Sequence, residues 1–109
     1  MNTNFESCEK YTLYIGLNDQ QTKTQLIDTN EARHIVEDIF YNKIGGATIS
    51  LARGVYKHDD GTRVLENTIR VECFGADYID IVYCVEYLKK AFNQESIAVN
   101  KEIVQSLFM

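Results

Sequence analysis

The side chains with the most chemical reach in this sequence are Glu66, Arg70 and Glu72, which alternate along one stretch, together with Tyr56 and Tyr14. If they share a surface, Arg70 could take an anionic or polar ligand while Tyr14 and Tyr56 stack on it. The same set could build an acid–base site around Glu66. The plain alternative is the ion pairing of a solvated strand, with Arg70 between two carboxylates. Other chemistries lack their parts. A cysteine nucleophile needs a nearby base, and neither His34 nor His58 is predicted near Cys73 or Cys84. His58-Asp59-Asp60 reads as turn residues, without the spacing of a calcium loop. Gly45-Gly46 follows a helix signal, where a phosphate cradle would precede one. We expect no metal site, no cofactor and no catalytic residue that the sequence alone can name.

These side chains are positioned by Ile49–Phe74, which reads as a long β-hairpin. Asp59-Asp60-Gly61 suits a three-residue loop, a type I turn closed by a left-handed glycine. That loop pairs His58 with Thr62, Val55 with Leu65, Arg53 with Asn67, Leu51 with Ile69 and Ile49 with Val71. These rows are mostly apolar and are expected to pack on helices. A two-residue loop would mix the two faces, so that register is rejected. The opposite face carries Tyr56/Val64, Gly54/Glu66, Ala52/Thr68, Ser50/Arg70 and Thr48/Glu72. One of its strands offers only small residues between Thr48 and Gly54, which leaves room for a ligand, a loop or a second subunit.

The remaining chain supplies the other elements. Residues 1–10 are polar and expected to be flexible, and residues 11–109 form one domain. Tyr11–Leu17 alternates as a half-buried strand, with Tyr14 on the face opposite Tyr11, Leu13 and Ile15. Asp28 and Glu31 suggest a capping box for a helix carrying Ala32, Ile35, Val36, Ile39 and Phe40 to about Lys43. On its outer side His34 and Asp38 could pair weakly, one turn apart. Asp77 caps a second helix reaching about Asn93, with Ile81, Val85, Leu88 and Phe92 as its stripe and Tyr78 and Cys84 at the margin. Ser96–Val99 gives a short strand signal, interrupted at Asn100-Lys101-Glu102 and resumed from Ile103 to the apolar end. The order β-α-β-β-α-β predicts an α+β, ferredoxin-like domain. Its antiparallel four-stranded sheet has strands one and three central, two helices on one face and the other face open.

Net charge is −5, which disfavours direct nucleic-acid binding and suits a basic protein partner. Three cysteines without CxxC spacing, and no apolar leader or membrane-length run, point to a reduced, cytoplasmic, soluble chain.

Two blocks, GVYKHDDGTRVLEN and AFNQESIAV, carry a resemblance to the small bacterial proteins grouped as "domain of unknown function 3574". The matching positions are Gly54-Val55-Tyr56, Gly61, Glu66 and Phe92-Asn93-Gln94-Glu95-Ser96-Ile97, and YTLYIGLND resembles that family's first strand. Tyr56 stands where tryptophan is frequent, and Ile97 where valine is usual. The resemblance implies no activity, but it brings Tyr56, Glu66 and Gln94 forward as site positions. The candidate ligand-binding set is therefore Tyr14, Ser50, Tyr56, Glu66, Thr68, Arg70 and Gln94.

Three functions remain open. The first is a non-catalytic binding protein, using the open face for a small ligand or for self-assembly as a homodimer or higher oligomer. The second is an acidic inhibitor or sequestering protein of the phage or mobile-element type, acting on host defence. The third is a small enzyme with a Glu/Arg/Tyr site on that face.

Overall fold

A computed structural model of the chain describes residues 4–109. Its elements are β1 (Glu6–Gly16), α1 (Thr29–Lys43), β2 (Thr48–Lys57), β3 (Arg63–Phe74), α2 (Tyr78–Ala91) and β4 (Ala98–Ser106). The four strands form one antiparallel sheet in the order β2-β3-β1-β4, the ferredoxin-like arrangement with β1 and β3 central.

The hairpin turn sets the register of half the sheet. Gly61 is left-handed at φ 86°, and the His58 and Thr62 ends close through His58 N–H on the Thr62 carbonyl at 2.9 Å. The Asp60 carboxylate accepts the Thr62 N–H at 2.8 Å and stiffens the loop. Every expected pair follows, from Val55 opposite Leu65 to Thr48 opposite Glu72.

The core lies on one side of the sheet. Leu13, Ile15, Ile69 and Val71 meet Ala32, Val36 and Phe40 of α1 and Ile81, Cys84 and Leu88 of α2, all essentially inaccessible to water. Truncating Phe40 to alanine there costs about 3–5 kcal/mol. Cys84, expected at the margin of α2, is central, and burial chiefly pushes its thiol up to about 11. α1 starts on Asp28, whose carboxylate accepts the Asn30 N–H at 3.1 Å, and Glu31 does not reach back. It ends where Gly45, at φ 100°, donates its N–H to the Phe40 carbonyl. His34 pairs with Glu37 at 3.3 Å rather than with Asp38.

Four further expectations need correction. Among residues 1–10, Glu6–Lys10 belong to β1, paired with Phe74 on one side and with Glu102–Ser106 on the other; Met1–Thr3 lie outside the described residues. Polar composition hid this stretch because sheet pairing satisfies its backbone whatever its side chains are. β4 is continuous through Asn100-Lys101-Glu102, since an edge strand tolerates side chains that face water. It stops at Ser106, leaving Phe108 and Met109 exposed.

The last correction concerns the hairpin's helix-side rows. Ile69 and Val71 are buried, but Leu51, Val55 and Leu65 are 53%, 61% and 48% exposed. Length explains it. The twelve residues of β3 extend roughly 40 Å, whereas the fifteen of α1 extend roughly 22 Å. The hairpin therefore overhangs its helices, and the molecule is 53 Å long.

Candidate functional site

The open face has two differently built zones. In the Glu72 zone the charges satisfy one another. Arg70 pairs closely with Glu72, and Lys10 Nζ lies 3.7 Å from the same carboxyl group. Tyr14, opposite Arg70 on β1, adds a hydrogen bond to the guanidinium. These bonds, Tyr14 first, hold Arg70 more firmly protonated, and Arg70 in turn holds the Glu72 carboxyl below its usual range.

Six residues away on β3, Glu66 sits in a different setting. Its cross-strand neighbour is Gly54, and its carboxylate crosses to β1 and lies over Gly16. A Cβ at Gly16 would have to push that carboxylate aside, so glycine here is what lets the Glu66 side chain lie in this position. Asn18, just past β1, donates its N–H to Glu66 Oε2 at 2.9 Å and its side-chain amide to the Leu65 carbonyl at 3.2 Å. Gln94, just past α2, donates its side-chain amide to the Asn18 carbonyl. Tyr56 folds back over Gly54, whose Cβ would stand 2.7 Å from the phenol oxygen.

A cavity of about 210 Å³ opens here, lined among others by Asn18, Asp19, Lys23, Tyr56, Glu66 and Gln94. Among the described residues, Glu66 has no lysine or arginine partner. Asp19 is saturated: its carboxylate accepts the N–H groups of Gln21 and Thr22 at 2.9 and 3.0 Å and the Asn93 amide at 2.8 Å. Those bonds, Thr22's first, keep its carboxyl below the usual range. It organises the loop and is spent as a base.

The structure thus places Tyr56, Glu66 and Gln94 around one cavity. Tyr14, Ser50, Thr68 and Arg70 lie further along the same face and do not line it. Ser50 is exposed, and Thr68 is buried, donating its hydroxyl to the Glu66 carbonyl at 3.3 Å. Sequence reasoning passed over Asn18, Asp19, Lys23 and Asn93. Their signal was a polar Asx-turn segment directly after a strand, and an asparagine directly after a helix. Among the described residues no group of three or more histidines, cysteines or carboxylates could hold a metal ion. No helix is long and apolar enough to cross a membrane.

No protein-family model matches the chain, and no curated protein matches it. Solved structures do match in fold. A phage SAM lyase in complex with S-methyl-5'-thioadenosine superposes with a TM-score of 0.61 at 21% identity, over 97% of this chain and 94% of that one. A phage SAM lyase in its apo state superposes with a TM-score of 0.58 at 20% identity, over 93% and 91% of the two chains. At these identities the likeness is one of fold.

Proposed function

We propose that the chain binds S-adenosylmethionine (SAM) in the Glu66 cavity and cleaves it to S-methyl-5'-thioadenosine. The observation that carries this reading is an uncompensated carboxylate, Glu66, fixed by a backbone N–H beside the Tyr56 ring. A sulfonium is a cation with no hydrogen-bond donor. It is recognised by a negative charge and an aromatic face rather than by hydrogen bonding. Amides such as Gln94 suit the polar edges of a nucleoside. The fold shared with the phage SAM lyases supports the choice of ligand.

Cleavage breaks the bond between sulfur and the aminobutyrate carbon, and the electron pair leaves on sulfur. A lyase adds no water, so that carbon must be taken by the substrate's own carboxylate, or a neighbouring proton must be lost to a base. We favour the first course. Asp19 is spent in hydrogen bonds, and although Glu66, His58 and Glu95 also line the cavity, the first course calls on no base. Carboxylate attack closes a lactone with no proton gained or lost, so holding the cation and folding the arm is enough.

Incubating the protein with SAM and following S-methyl-5'-thioadenosine by liquid chromatography, against a protein-free control, tests this. Turnover should be lost in Glu66→Gln at an unchanged melting temperature. Calorimetry showing no affinity for either compound would overturn the reading. Destroying SAM would also deprive host enzymes that need it, so an inhibitor role of the phage type is compatible with this chemistry.

A second reading is favoured by the overhanging hairpin. Leu51, Val55 and Leu65 expose apolar surface on its helix side, and the cavity falls below the ~300–1,000 Å³ usual for sites that enclose a ligand. Self-assembly through the helix side of the hairpin would cover that apolar surface. Leu51→Glu with Val55→Glu should then shift the mass measured by light scattering to that of the monomer.

A further inference from the structure

Lys23 is the lysine or arginine that lines the cavity, and among the described residues it has no carboxylate within salt-bridge range. Its backbone is left-handed at φ 61°, a conformation that costs free energy for a residue with a Cβ. The loop enforces it. Lys23 donates its N–H to the Asp19 carbonyl at 2.8 Å, and Asp19 donates its own to the Thr24 carbonyl at 2.8 Å. Inside this ring the Asp19 carboxylate holds Gln21 and Thr22.

The ring is clamped to the end of α2 by Asn93. The Asn93 amide donates to Asp19 Oδ2, its carbonyl accepts the Gln20 N–H at 3.0 Å, and its Oδ1 accepts the Gln20 side chain at 2.9 Å. Asn93 is itself left-handed, at φ 46°. Among the described residues, Lys23 and Asn93 are the two non-glycine positions with positive φ, and they form the two sides of one clamp. Strain is thus spent in the loop that places Lys23 beside the cavity, which the Glu66 carboxylate also lines.

We infer that Lys23 reads the carboxylate of the aminobutyrate arm, and so distinguishes substrate from product. The inference rests on the SAM reading above. SAM carries a sulfonium for Glu66 and a carboxylate for Lys23, whereas S-methyl-5'-thioadenosine carries neither. Decarboxylated SAM keeps the sulfonium and loses the carboxylate alone. An ammonium that holds the substrate and not the product also favours product release.

The test is calorimetric affinity for these three compounds in wild type, Lys23→Gln and Lys23→Gly. Glycine accepts the left-handed backbone without strain, so Lys23→Gly keeps the loop while removing the side chain, and Lys23→Gln removes the charge while keeping most of the stem. Both variants should lose about tenfold in affinity for SAM, the size of one charge-assisted hydrogen bond. Affinity for decarboxylated SAM and for S-methyl-5'-thioadenosine should stay within about twofold of wild type. Lys23→Arg should recover most of the SAM affinity. Equal losses for all three compounds, or no loss for any, would overturn the role of Lys23 while leaving the SAM site standing. Wild-type protein that binds none of them would overturn the SAM site and this inference with it.

Discussion

The two zones of the open face contain similar side chains and treat charge in opposite ways. Around Glu72, the carboxylate is met by cations: Arg70 pairs with Glu72, Lys10 lies close by, and Tyr14 supports Arg70. Around Glu66, the carboxylates are held by neutral groups, namely the N–H groups of Asn18, Gln21 and Thr22 and the amide of Asn93. Neutral donors fix a carboxylate in place without cancelling its field. In the first zone the carboxylate already faces cations, whereas in the second it has none and is left for something else to meet. A charged face is thus a poor guide to function until its internal pairings are counted.

The strongest way to break this contrast is to neutralise one carboxylate in each zone. Glu66→Gln should weaken SAM binding by about a hundredfold or more, as when one of two desolvated opposite charges is removed. Glu72→Gln should leave it within about twofold, because its partners lie outside the cavity. Calorimetry on both variants decides it, and equal losses would mean that the zones act as one site. A smaller effect is expected at Gly16. The added methyl of Gly16→Ala must push the Glu66 carboxylate aside, and a flexible side chain can yield. Ligand affinity should fall about tenfold while unfolding free energy changes by less than ~1 kcal/mol. A large stability loss with affinity retained would show that Gly16 serves packing rather than the site.

The difference between the zones was only half legible in the sequence. Period-two alternation assigned every hairpin residue to a face, and Asp59-Asp60-Gly61 set the register through one left-handed glycine. Alternation says which way a side chain points, not whether anything covers it. Leu51, Val55 and Leu65 therefore read as core and turned out exposed. Arg70 and Glu66 looked equally available, because alternation puts Arg70 between Glu66 and Glu72 and does not say that it pairs with Glu72 while Glu66 turns to Gly16 and Asn18. The loop was least visible. Asn18, Asp19, Lys23 and Asn93 have no periodicity, and they meet because β1 and α2 finish at the same end of the domain. Gln94 entered through a motif resemblance and not through a spacing rule.

The smallest effect sharpens the contrast most, because it separates the zones without a ligand. The Asp19 and Glu72 carboxyls both titrate below their usual range in the folded chain, Asp19 through Thr22, Asn93 and Gln21, and Glu72 chiefly through Arg70. A depressed carboxyl means that the unfolded chain binds the proton more readily. Each group's contribution is complete above the unfolded carboxylate range near pH ~4, and is lost as pH falls through the lower folded value. Asp19→Asn and Glu72→Gln should each flatten the acid limb of a urea-midpoint profile run from about pH 6 to about pH 3. Salt should tell them apart. Glu72 depends on full charges that are partly open to solvent, so raising ionic strength should weaken its effect. Asp19 depends on short hydrogen bonds to neutral donors in a closed loop, so its effect should persist. If both contributions disappear in salt, the carboxylates of the cavity are screened like any surface charge and the zones do not differ in kind.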